Sequence, residues 1–213
     1  MAFELPIVSV LSGATPSQLL SWRTKGLLIP EIREKKPPIY SFRDLIVARS
    51  LAFLRGRTTS QKITRAIGNI RSMELTRGHL SQLRFGTDGD TIFIGTPDSD
   101  VATDVLRRPG QIEVFSFDDL AAAFRNFRDD EVAGLEHPRP HLEVSPERLG
   151  GWPTIQGTRV PFDAVSDLLA DGDIEADEVE QWYPGVSADA ARDASDFAAA
   201  VARVTDAGDS EAA

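Results

Sequence analysis

The spacing of apolar positions changes along the chain, and each change predicts a structural element. Leu19 and Trp22, three residues apart, follow Thr15-Pro16-Ser17-Gln18. Thr15 suits the N-cap, Pro16 the first helical position, where its missing N–H costs nothing, and Gln18 the reciprocal capping-box position. The helix is predicted to run to Lys25. Gly26 is placed for the left-handed C-terminal turn, and Leu27 and Leu28 continue the core. Ser17, Gln18, Ser21, Thr24 and Lys25 occupy the polar side. Upstream, the apolar stretch 7–11 before Gly13 predicts a short supporting helix. Residues 31–40 have apolar, β-prone ends and a basic middle, the pattern of a small hairpin, although an ordinary polar loop fits the same residues. Ser41 and Asp44 open a further helix, buried through Leu45, Ala48, Leu51, Ala52 and Leu54 and predicted to stop at Gly56. Ile63, Ala66, Ile67 and Ile70, at i, i+3, i+4 and i+7, form the core stripe of the next.

Beyond residue 80 strand-like patterns take over. Leu83-Arg84-Phe85 and Thr91-Ile92-Phe93-Ile94 flank Gly86-Thr87-Asp88-Gly89-Asp90, which predicts a β-hairpin. Residues 111–115 predict another strand, and a helix is expected from Ser116, carrying Leu120, Ala121, Phe124 and Phe127. His137-Pro138-Arg139-Pro140-His141 places two histidines four apart. The prolines between them forbid a shared helix face, so the stretch reads as a stiff linker and not a metal site. Residues 142–160 read as an extended hairpin turning at Gly150-Gly151. Three helical stretches follow. The first carries Phe162, Val165, Leu168 and Leu169 and ends at Gly172. The second carries Ile174, Val179 and Trp182 and is stopped by Pro184-Gly185. The third is capped by Ser187 and buries Ala190, Ala194, Phe197 and Val201. A disordered acidic tail is expected over 206–213. The divisions are 1–74, 75–136, the linker 137–141, 142–205 and the tail. The expected fold class is α+β, mainly helical: an N-terminal winged helix-turn-helix, a small α/β middle segment, and a C-terminal helical, helix-turn-helix-like domain preceded by a β-hairpin.

Composition and charge then narrow the function. With no cysteine among 213 residues, disulfide frameworks, thiolate zinc sites and a Cys nucleophile are excluded. No apolar run approaches the ~20 residues of a bilayer span. Residues 1–11 lack a basic n-region, so a cytoplasmic protein without a membrane partner is expected. The formal net charge of −10 is unevenly spread. Residues 1–85 carry 14 Lys and Arg against 5 Asp and Glu, a net +9, whereas residues 86–140 carry −7 and residues 141–213 carry −12. A basic head on an acidic remainder points to an anion-binding module joined to something else; a composition fluctuation is the plain alternative. Ser17, Gln18, Ser21, Thr24 and Lys25 can meet a major groove, Thr15 at the helix start is a further DNA-binding candidate, and Arg23, Lys25, Arg33, Lys35, Lys36 and Arg43 can meet phosphates.

Two stretches resemble known families. Gly13-Ala14-Thr15-Pro16-Ser17, Leu19, Trp22, Gly26-Leu27-Leu28, Pro30, Tyr40-Ser41 and Asp44-Leu45 resemble the winged-helix DNA-binding domain of MerR-type regulators, over about residues 5–72. The resemblance implies that the helix from Thr15 enters the major groove and that 31–40 is the wing. Two arginines of that family, both commonly meeting the DNA backbone, are replaced here by Leu20 and Pro38, so the contact set differs. Farther on, Gly151-Trp152-Pro153-Thr154-Ile155-Gln156-Gly157-Thr158-Arg159-Val160-Pro161 fits G-x-P-x-I-x-G-T-R-[IV]-P, and Tyr183-Pro184-Gly185-Val186-Ser187 fits Y-P-x-[LV]-[ST]. Across about residues 142–200 these motifs resemble a small uncharacterised domain found in antitoxins of VapB type. That resemblance implies a small helical fold and a PIN-like ribonuclease toxin as partner. Its structural residues are Gly151, Pro153, Ile155, Gly157, Thr158, Arg159, Pro161 and Pro184. Gly157 suits a tight turn, and Arg159 can fork onto a carboxylate, either of a partner or within the domain.

The preferred expectation is a homodimeric antitoxin of a type II toxin–antitoxin system. It neutralises a cognate PIN-like toxin by direct binding and autoregulates its operon on operator DNA. Arg159, Trp182, Tyr183, Arg192 and Arg203 are its candidate contacts to the toxin or to a second copy. The alternative is a stand-alone MerR-like regulator whose C-terminal part dimerises or senses a ligand. Enzyme chemistry is not expected. Asp163, Asp167 and Asp171 share one helix side, but a solvated face accounts for them better than a metal site. No catalytic residue, metal or cofactor is expected.

Overall fold

A computed structural model of the chain describes residues 2–74, 78–96, 101–114 and 121–212. It opens with a short strand, β1 (Phe3–Glu4), followed by α1 (Leu5–Ser12) and α2 (Pro16–Thr24). The predicted reciprocal cap forms: Gln18 N donates to Thr15 Oγ1 at 3.2 Å, and Thr15 N donates to Gln18 Oε1 at 2.9 Å. Leu19 and Trp22 are buried beneath it. Where a hairpin is expected over 31–40, the chain makes a tighter loop. Arg33 and Ile39 exchange two backbone hydrogen bonds, a single antiparallel bridge that closes the loop without extending into a ladder, and β2 (Ile39–Tyr40) pairs antiparallel with β1 as well. Pro37 and Pro38 account for this, because neither has an N–H to continue a ladder. Next, α3 (Phe42–Arg57) starts at the Ser41–Asp44 capping box and α4 (Ser60–Ser72) at Thr59, with Ile63, Ala66, Ile67 and Ile70 buried. Gly56 does not stop α3, which continues to Arg57. Its small size serves packing instead: a Cβ there would lie 2.7 Å from the Arg125 carbonyl oxygen.

The middle segment holds an antiparallel sheet in chain order, β3 (Arg84–Thr87), β4 (Ile92–Gly95), β5 (Val101–Asp104) and β6 (Ile112–Val114). Phe85 pairs with Ile94, both buried, as β3 packs on α3 and β4 on α4. The helix expected from Ser116 is corrected where the chain is described. Ser116 and Leu120 lie outside the described residues, but Phe124 belongs to β7 (Phe124–Arg125), paired with β8 (Glu131–Val132). The reason is local. Asn126 Oδ1 accepts from Arg128 N at 2.8 Å and Asp130 N at 3.1 Å, a side-chain turn that competes with helical hydrogen bonding.

The C-terminal part begins with β9 (Leu142–Glu143) paired to β10 (Thr154–Ile155), joined through Gly150 and Gly151 at φ 61° and 88°. There follow α5 (Phe162–Ala170), turned by Gly172 at φ 74°, and α6 (Ala188–Ala212), packed on α5. The expected helix through Ile174 and Trp182 shrinks to one 3-10 turn, Val179–Gln181. Asp171, Asp173, Glu175, Asp177, Glu178 and Glu180 crowd that stretch, and like charges one turn apart oppose helix formation. Helix α6 runs on to Ala212, through the stretch expected as a disordered tail. Phe3, Leu19, Leu45, Ile67, Phe85, Val132, Leu142 and Phe197 belong to a single apolar cluster. The whole is α+β with several small sheets. Among the described residues no helix is long and apolar enough to cross a membrane.

Candidate nucleic-acid interface

The polar side of α2 faces outward, but its residues are not equally free. Thr15 and Gln18 are occupied by the cap they form. Ser17 is exposed and Ser21 half-exposed. Arg23 Nη1 donates to the Glu34 carbonyl at 3.0 Å and so clamps the 31–40 loop against the helix. Arg33 Nε donates to Pro37 O at 2.8 Å within that loop. Arg43 pairs with Glu31 at 3.4 Å and also reaches Ser81. Of the six predicted phosphate contacts, Lys25, Lys35 and Lys36 are exposed and without an intramolecular partner among the described residues. The two lysines of the loop sit at its tip, where a cis Lys36–Pro37 peptide turns the chain.

Beneath the loop lies a buried latch that the sequence did not reveal. Asp44, fully buried, accepts at Oδ2 from the backbone N–H of Glu31 (2.9 Å) and of Ser41 (2.8 Å). Its Oδ1 accepts from His79 Nε2 at 3.1 Å, while His79 Nδ1 accepts from Ser81 N at 3.2 Å. Ser41 Oγ donates to Glu31 Oε2 at 2.7 Å. Glu31, Asp44 and His79 present ligand atoms within 4.8 Å of one another, a spacing that also suits a cation. Each of these groups is nonetheless satisfied internally, and the cluster fixes the loop root to the start of α3. Neighbouring Tyr40 is fully buried, its hydroxyl has no hydrogen-bond partner among the described residues, and burial pushes its pKa up to about 12.

A second fastening joins the head to the β7–β8 hairpin. Arg49, 2% exposed, donates from Nη1 to Leu11 O at 2.7 Å and from Nη2 to Ala122 O and Ala133 O, each at 2.8 Å. Its guanidinium lies 5.0 Å from the Phe124 ring centroid. Burial draws its pKa down to about 10, which leaves it charged at neutral pH. The hairpin tip flanks α2: Asn126 Nδ2 donates to Gly13 O at 3.3 Å, and Arg55 and Arg128 each approach exposed Phe127 at 5.4 Å.

The C-terminal candidates separate into anchors and open residues. A Cβ at Gly151 would lie 2.1 Å from Phe42 of α3, so this glycine lets the hairpin turn dock on the head. Trp152 stands 5.5 Å from Phe3 and 6.0 Å from Phe162, and Phe162 4.8 Å from Phe197. This aromatic row joins head and C-terminal part. Gly157 adopts φ 74°, as its tight turn requires, and Thr158 braces that turn by donating to Ile155 O at 2.9 Å. Pro153, Ile155, Pro161 and Pro184 punctuate the hairpin and helix ends. Arg159 is exposed and lacks a partner among the described residues, so the internal ion pair does not form. Trp182 is 61% exposed and Tyr183 packs partly on the core. Arg192 pairs with Asp189 at 2.7 Å, while Arg203 lines a groove. The two linker histidines do not converge: His141 Nδ1 meets Asp193 at 2.8 Å and His137 Nδ1 meets Leu142 O at 3.3 Å.

These 142–198 residues match the model of a family described as a protein of unknown function, DUF433. As a whole, the chain is similar to the X-ray crystal structure of Rv2018 from Mycobacterium tuberculosis, at 17% identity and a TM-score of 0.54. The likeness covers 90% of this chain and 95% of that one, and it concerns the fold. No curated protein matches the chain. The family match spans the docking turn at Gly151, the aromatic row from Trp152 to Phe197, and exposed Trp182, so attachment to the head and an open surface lie within one unit.

Proposed function

We propose that the chain is an antitoxin that binds operator DNA through its head and a PIN-like ribonuclease toxin through its C-terminal unit. The observation that carries the first half is the outward face of α2 beside Lys25, Lys35 and Lys36, three cations with no intramolecular partner among the described residues on a stretch of net charge +9. In this reading residues 1–74 act as a MerR-like winged helix. Helix α2 lies in the major groove, the 31–40 loop is the wing, and two copies bind together. The second half rests on the DUF433 match, a small domain often found in toxin–antitoxin-like proteins. It rests also on exposed Arg159 and Trp182 within a part of net charge −12. That surface repels phosphates and suits the basic rim of an RNA-cutting protein, with Trp182 as an apolar anchor.

A gel-shift titration with promoter-proximal DNA at several salt concentrations tests the head. Replacing Lys35 and Lys36 with Ala weakens binding across sequences and lowers the salt slope by about 1.8 per head, since each lost phosphate contact removes about 0.9. An unchanged slope removes the wing from the interface. Growth arrest by a neighbouring PIN-like gene, relieved by this chain, tests the second half.

A stand-alone regulator that senses a ligand is the second reading. A groove of about 480 Å³ between the α1–α2 turn, the β7–β8 hairpin and α6 favours it, because this volume suits a small molecule. Co-purification of a PIN-like protein decides between the two.

A further inference from the structure

The outward strip of α2 has an unusual donor inventory. Ser17, Leu20, Ser21 and Thr24 fall at i, i+3, i+4 and i+7, opposite buried Leu19 and Trp22. Thr24 Oγ1 donates to Leu20 O at 3.0 Å, so its hydroxyl hydrogen is spent within the helix and it turns no donor outward. Ser17 Oγ shares a hydrogen bond with Thr15 Oγ1 at 3.2 Å, and Gln18 Oε1 is held by the cap. Arg23 is committed to the Glu34 carbonyl. The helix therefore offers no Asn or Gln fork for two-point contact with an adenine edge; Arg23 Nη1 is taken, and half-exposed Ser21 carries a hydroxyl limited to one-point contacts that several bases satisfy. What it does offer is a large apolar side chain: Leu20 is 38% exposed in the middle of the strip, on the flank toward the loop that Arg23 clamps. In the major groove the apolar feature that distinguishes one base from the others is the 5-methyl group of thymine.

We propose that Leu20 makes α2 a reader of thymine, through apolar contact with the 5-methyl group. The inference rests on the DNA-binding reading of the head and specifies what that surface recognises. Phosphate contacts from Lys25, Lys35 and Lys36 set position, and Leu20 supplies sequence information by excluding water from a methyl group.

The test uses the full chain. Duplexes retained from a randomised pool define the bound site. Each thymine in that site is then replaced singly by deoxyuridine, which removes the methyl and leaves the hydrogen-bonding edge intact. One position per half-site is expected to lose about fourfold in affinity, the effect of burying one methyl group. In Leu20→Ala the same replacement has no effect and the salt slope stays that of the natural chain. Leu20→Met, which keeps an apolar surface, retains the discrimination. A selected site that is indifferent to every methyl removal overturns the inference while leaving DNA binding in place, and so does a fourfold loss that persists in Leu20→Ala. Retention of no duplex at low salt overturns the DNA-binding reading and this inference with it.

Discussion

Arg49 and Asp104 are both buried charges, and they differ in how they are compensated. Arg49 directs its donors at three backbone carbonyls from separate stretches. Replacement by Met keeps much of the volume but leaves those carbonyls unpaired in the interior. The expected loss is about 3 kcal/mol or more, read as a lower denaturant midpoint. Asp104 is buried, which alone raises its pKa. Hydrogen bonds from Thr91 Oγ1 (2.6 Å) and from the backbone N–H groups of Leu106 and Arg107 outweigh that effect and hold it below the ordinary carboxyl value. A carboxyl with a lowered folded pKa contributes stability that is full above its unfolded value, about 3.9, and is lost as pH falls through the folded one. Melting temperature is therefore expected to drop below about pH 4. Asp104→Asn should show a shallower drop over that range.

Among the elements, Gly151 carries the most demanding position, with φ 88° and Phe42 where a Cβ would go. Gly151→Ala combines a conformational penalty with a clash and is expected to cost about 3 kcal/mol, measured by thermal melting. The Thr15 capping box, the Ser41 cap and the Ile63–Ile70 stripe are legible in the sequence because caps and helical stripes are local properties. The β7–β8 hairpin is not. Leu120, Ala121, Phe124 and Phe127 have helical spacing, and the signal that overrides it is Asn126 with Asp129 and Asp130 close behind, a turn-forming group inside an apolar pattern. The candidate interface was legible by residue type but not by availability. Arg23, Arg33 and Arg43 count as cations in any tally, yet their partners Glu34, Pro37 and Glu31 become apparent only when the loop closes. In the sequence Leu20 reads only as a departure from a family pattern, because its exposure becomes apparent once α2 is placed on the core.

At the scale of the molecule, the head and the C-terminal unit share one interior. The Phe3–Trp152–Phe162–Phe197 row and the seat of Gly151 on Phe42 cross what a reading of the sequence treats as separate domains. A fragment of residues 1–141 is therefore expected to expose Phe3 and Phe42. It should bind an apolar dye and melt less cooperatively than the full chain. Equal cooperativity in the fragment would restore independent domains. The Arg49 junction has a dynamic consequence as well. One guanidinium gathers the last turn of α1 and both approaches to the β7–β8 pair, so none of these strands of chain can breathe alone. A fluctuation that frees the hairpin also slackens the hinge from which α2 departs, and the three motions collapse into one.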